Sequence, residues 1–87
     1  MAREIFALAH ETDPGPPAVY NIEFVWGYGD SQSVRQAAAQ VLYENLTGSA
    51  PDITQSAVDT LSFGDGVPAG KTEADYEVSG GVIQAAA

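Results

Sequence analysis

The stretch from Asp30 to Gly48 limits what this chain can fold into more than any other, because it reads as an amphipathic helix. Apolar residues recur at Val34, Ala37, Ala38, Val41 and Leu42. That is the i, i+3, i+4, i+7, i+8 stripe of a helix with one buried face. Ser33 and Gln36 have the spacing of a capping box, with Asp30 and Ser31 as competing N-caps. Gly48 suits the left-handed position after the last turn, and Pro51 bars continuation. The predicted helix covers residues 31–47. Its run Ala37-Ala38-Ala39 has high helix propensity and small side chains that permit close packing on a sheet.

Strand patterns flank the helix. Glu4 to Glu11 alternates Phe6, Leu8 and His10 on one face with Ile5, Ala7 and Ala9 on the other. Both faces are apolar, which marks a strand covered on two sides. A single helix cannot supply both covers. The second has to come from a curled sheet, from the C-terminal tail or from another protein. Thr12-Asp13-Pro14-Gly15-Pro16-Pro17 is a stiff connection too long for a two-residue hairpin turn. Val19 to Tyr28 is the strongest strand, with Tyr20, Ile22, Phe24, Trp26 and Tyr28 on one face and Val19, Asn21, Glu23 and Val25 on the other. The aromatic face is expected under the helix, and Gly27 and Gly29 mark the turn into it.

The second half is less regular. Residues 49–63 fit both a helical face and a strand; a short helical turn or loop near Asp52 and a strand over 57–63 are expected, with the turn residues Gly64-Asp65-Gly66 following. Residues 72–79 alternate as a strand, with Thr72, Ala74, Tyr76 and Val78 inward and Glu73, Asp75 and Glu77 outward. Gly80-Gly81 breaks or bulges it, leaving 80–87 as a tail or strand extension. The expected fold is α+β: one domain over residues 1–87, β-β-α-β-β, a mostly antiparallel sheet with one amphipathic helix on a face.

A chain of 87 residues has a modest core. Area scaling leaves about 4,900 Å² exposed out of about 13,000 Å² unfolded, so about 60–65% is buried. The chain has no cysteine, so neither disulfides nor thiolate-bound metal can add to that. Oligomerisation or docking on a larger partner remains the common route to more burial.

Charge excludes some partners and favours others. Three basic residues, Arg3, Arg35 and Lys71, face twelve acidic ones, for a net charge of −9. Phosphate recognition needs clustered Lys and Arg, so direct nucleic-acid binding is not expected, and neither is an anionic membrane surface. A basic protein surface is the electrostatic match. The N-terminal Met1-Ala2-Arg3-Glu4 leads into no uninterrupted apolar h-region, and no run approaches membrane-spanning length. The expected location is the cytoplasm, or a virus particle assembled there. On that reading the sequon Asn45-Leu46-Thr47 is a chance match.

Catalytic patterns are thin. Gly64 to Thr72 suggests a phosphate loop, but the P-loop spacing needs glycine where Asp65 stands, and the following segment reads as a strand. His10, Glu11 and Asp13 offer one imidazole and two carboxylates, a weak metal set. There is one histidine, no cysteine and no G-x-S-x-G elbow for nucleophilic catalysis. The expectation is a chain that is not an enzyme and holds no cofactor or metal.

What remains is surface. Glu73, Asp75 and Glu77 on alternate strand positions would stand roughly 6.5–7 Å apart as an anionic ladder for Lys and Arg. Tyr43 lies opposite the predicted buried stripe with Ala39 and Leu46 nearby, where a tyrosine suits a contact. The sheet face away from the helix, with Ile5, Ala7, Ala9, Val19 and Val25, is the expected apolar contact. The reading is a structural or protein-interaction subunit, a homo-oligomer or part of a larger assembly, such as a decoration or head–tail accessory of a virus particle. The alternative is a small acidic inhibitor that blocks a basic nucleic-acid-binding groove through Glu73, Asp75 and Glu77. A third reading is a small-molecule or metal-dependent enzyme around His10.

Overall fold

A computed structural model describes residues 2–56 and 66–86, and the strand expected at 57–63 lies outside them. Two long strands come first, β1 (Arg3–Asp13) and β2 (Val19–Tyr28). Helix α1 (Gln32–Thr47) follows, then β3 (Ile53–Ser56). A 3-10 turn at Glu73–Asp75 leads into β4 (Tyr76–Ser79) and β5 (Val82–Ala85). The architecture is the expected α+β domain, with α1 packed on the sheet of β1 and β2. The sheet order is β2-β1-β3, antiparallel throughout, and β4 and β5 form a separate hairpin.

The helix ends follow local chemistry. Ser31 is the N-cap, its hydroxyl accepting the Val34 amide at 3.3 Å. Gly48 closes the helix at φ 79°, donating its N–H to the Glu44 carbonyl.

β1 is covered on both faces, and Ile5, Phe6, Ala7, Leu8 and Ala9 are all buried. Phe6 and Leu8 join Val25, Ala39 and Tyr43 beneath α1. On the other side Ile5, Ala7 and Ala9 pack with Tyr76 and Ile83 of the hairpin, bordered by Tyr20, Ile22, Phe24 and Trp26. The C-terminal segment is therefore the second cover, giving three layers: helix, sheet and hairpin.

This corrects the expectation that the aromatic face of β2 lies under the helix. It lies under the hairpin, where the Phe24 and Tyr76 rings meet edge to face at 5.4 Å. The reason is a close approach. A Cβ on Gly27 would sit 1.8 Å from the Arg35 carbonyl oxygen and 3.2 Å from the Ala39 Cβ. The helix crosses β2 where the strand has no side chain, on the face of Gly27 and Val25. Tyr and Trp on the opposite face would have held it off.

The second half departs from expectation in two places and settles a third. Where a helical turn or loop was expected near Asp52, a bend there leads straight into β3 at Ile53, and Asp52 donates its N–H to the Ala9 carbonyl at 2.9 Å. The open edge of β1 gives β-branched Ile53 and Thr54 a partner strand, which decides between the two conformations. Residues Glu73–Asp75 form a turn, because the Asp75 carboxylate accepts the Thr72 amide at 2.8 Å and competes with strand pairing. Of the two roles open to them, Gly80 and Gly81, at φ 62° and 81°, take the first and break the strand instead of bulging it. They form the two-residue turn of the β4–β5 hairpin, in which Ser79 pairs with Val82.

Candidate docking surface

The sheet-facing side of α1 carries Arg35, Ala39 and Tyr43. Their spacing of four places them along one line of the helix. Arg35 is tied down from two sides. Its Nε donates to Glu4 Oε1 at 3.0 Å and its Nη1 to the Gly29 carbonyl at 3.0 Å. Glu4 is only 3% exposed, and Gln32 Nε2 donates to its other oxygen at 3.1 Å. This partly desolvated pair fixes the start of the helix to the start of β1.

Tyr43 fixes the other end. It was expected on the outer side of the helix, and it is fully buried. Its hydroxyl donates to the Asn21 backbone carbonyl at 2.8 Å and accepts from Asn21 Nδ2 at 3.2 Å. His10 Nδ1 lies 2.7 Å from the same oxygen. With the single hydroxyl proton given to the Asn21 carbonyl, His10 Nδ1 is the donor in its contact with the Tyr43 oxygen. Burial is the main cause that raises the Tyr43 pKa above its ordinary value, opposed by the Asn21 hydrogen bond. His10, Asn21 and Tyr43 thus form a mutually bonded cluster linking β1, β2 and α1.

Because Ala39 and Tyr43 face inward, the aliphatic stripe read from the sequence faces outward. Of that stripe Val34 is 53% exposed, Val41 62% and Leu42 42%, and Leu46, outside the stripe at the end of the helix, is 65% exposed. Ala37 is exposed between them. The spacing was legible, but the direction was reversed. The signal that could have set it right was the pairing of small residues, Gly27 on the strand and Ala39 on the helix. Scattered exposed apolar residues are ordinary. Val34, Val41 and Leu42, with Ala37 between them, share one side of the helix, while Leu46, seven residues after the buried Ala39, lies at the helix end toward the sheet-facing side.

The other expected contact residues are placed differently. Ile5 pairs with Trp26 and Phe6 with Val25, so Ile5 and Val25 lie on opposite faces of the sheet. Both are buried, Ile5 under the hairpin and Val25 under α1. The expected uncovered face is therefore filled from within the chain, and of its members only Val19 stays exposed. The anionic ladder does not form. Glu73 and Asp75 sit in the 3-10 turn, and Glu77 alone projects from β4. Glu77 instead borders an open cleft of about 300 Å³ between β2 and β4, with Tyr20, Ile22, Tyr76 and Val78.

Among the described residues, no group of three or more His, Asp or Glu side chains could hold a metal ion. Glu11 and Asp13, weighed with His10 as ligands, are exposed at the end of β1 while His10 turns to Tyr43. No described helix is long and apolar enough to cross a membrane. No protein-family model matches the chain, and comparison with curated proteins and with solved structures finds no match to it.

Proposed function

We propose that this chain is a non-enzymatic protein-interaction subunit that docks on a partner through the outward face of α1 and completes its burial in a larger assembly. The observation that carries this reading is the exposure of Val34, Val41 and Leu42 on the stripe, together with Leu46 at the end of the helix. Burying such a side chain fully is worth about 1.5–3 kcal/mol, so covering the exposed halves of four contributes on the order of 3–6 kcal/mol. The His10–Asn21–Tyr43 cluster supports a structural chain as well, since its hydrogen bonds are directed at one another. An accessory component of a virus particle is one such subunit, and the cytoplasm, where such particles assemble, is the proposed location.

The test is isolation from the native source by a tag, with the mass of the intact complex measured for the wild type and for Val41→Gln/Leu46→Gln. The wild type is expected in a complex of defined mass that the double variant does not form. Recovery of the same complex with both would defeat the proposal.

A further inference from the structure

We infer that the partner on the outward face of α1 is an amphipathic helix of a different protein whose apolar stripe is flanked by Lys and Arg, with a cation seated at Glu44. This rests on the docking reading above and adds the chemistry of the occupant. The three cations of the chain are all placed away from the stripe or already engaged. Arg35 is held by Glu4 and the Gly29 carbonyl. Arg3 lies 4.3 Å over the Trp26 ring, on the sheet face opposite α1. Lys71 is exposed in the segment between Val67 and Tyr76, both of which pack on the sheet face opposite α1.

The helix carries its charge against its own dipole. It has no acidic residue in its first turn and no basic residue in its last. Glu44 is exposed in the last turn, near the negative end, where a carboxylate is disfavoured and a cation is favoured. Glu44 stands three residues after Val41, so the two are neighbours on the helix surface. A Lys or Arg brought in beside a partner's apolar stripe meets Glu44 and the helix C-terminus together. A second copy brings the reverse, another Glu44 and another net charge of −9, with its own Arg35 already bound. A basic-flanked helix therefore satisfies the stripe and its rim, and a second copy satisfies only the stripe.

The experiment is fluorescence anisotropy of the full chain with three synthetic amphipathic peptides sharing one Leu/Ala face and differing in their rims, Lys, Ser or Glu. The Lys-rimmed peptide is expected to bind at least about tenfold tighter than the Ser-rimmed one, a gap of about 1.4 kcal/mol. Salt near 0.5 M should narrow that gap. Glu44→Gln should reduce the Lys advantage and leave the Ser-rimmed affinity unchanged, while Val41→Gln/Leu46→Gln should abolish binding of all three. Equal binding of the three peptides would overturn the basic partner and leave the docking face standing. Binding of none would overturn both. A wild-type dimer in sedimentation, dispersed by Val41→Gln/Leu46→Gln, would overturn the basic partner in favour of a second copy.

Discussion

Tyr43→Phe probes the placement of the helix with one oxygen atom. The substitution keeps the ring among Phe6, Leu8, Val25 and Ala39, edge-on to His10 at 5.7 Å. It removes a hydroxyl with contacts to His10 Nδ1 at 2.7 Å, the Asn21 carbonyl at 2.8 Å and Asn21 Nδ2 at 3.2 Å. The Asn21 carbonyl remains opposite His10 in the β1–β2 pairing, so it loses least. His10 and Asn21 are half-buried, and each can turn in part toward water. The loss is then one net hydrogen bond of about 1 kcal/mol plus partial desolvation of two donors, about 2 kcal/mol in all. With a urea m-value of about 1 kcal/mol/M for a chain this small, the midpoint should fall by about 2 M. Tyr43→Ala also removes the buried ring and should cost about 3–5 kcal/mol. A Tyr43→Phe midpoint within about 0.5 M of wild type would mean that the hydroxyl stands in water. That result would refute the inward placement and the outward stripe with it.

Three further outcomes follow from the same packing. Gly27→Ala puts a Cβ 1.8 Å from the Arg35 carbonyl oxygen, so the helix must lift. The expected loss is about 2–3 kcal/mol, read as a fall in Tm, and an unchanged Tm would mean the helix does not cross there. Arg35→Ala takes the cation from the buried Glu4 carboxylate and should cost about 3 kcal/mol in urea unfolding, and a loss under about 1 kcal/mol would contradict a desolvated pair. At alkaline pH, Tyr43 keeps its proton in the folded state where the unfolded chain releases it, because its folded pKa is raised. Its contribution is full below about pH 10 and falls at about 1.4 kcal/mol per pH unit as the pH climbs toward the folded value. The difference between wild type and Tyr43→Phe should shrink over that window, and a constant difference would exclude Tyr43 as its source.

Legibility in the sequence tracked how local each determinant was. The C-terminal end of the helix was readable because Gly48 acts within a turn of itself; at the N-terminal end Ser31 was one of three candidates, with Ser33 and Asp30. The two-sided burial of β1 was readable because Ile5 to Ala9 is apolar at every position. Which face of α1 turns inward was not local. It depends on Gly27, on another element, meeting Ala39, and a count of apolar residues gives alanine and arginine less weight than valine and leucine. Arg35 and Tyr43 face the sheet because Glu4, His10 and Asn21 satisfy them there, which hydrophobic periodicity does not register. The expected ladder of Glu73, Asp75 and Glu77 gave way to a short-range contact, Asp75 with Thr72. The hairpin cover over Ile5 and Ala7 was signalled by Gly80-Gly81, whose tandem positive φ makes a turn more readily than a bulge.

The direction of the α1 stripe is tested most directly by urea unfolding of Val41→Gln/Leu46→Gln. These two side chains are 62% and 65% exposed, and glutamine matches or exceeds valine and leucine closely enough in helix propensity to leave the helix itself intact. The outward stripe predicts an unfolding free energy within about 0.5 kcal/mol of wild type. A loss of about 3 kcal/mol or more, the cost of opening a core at two aliphatic positions, would contradict it.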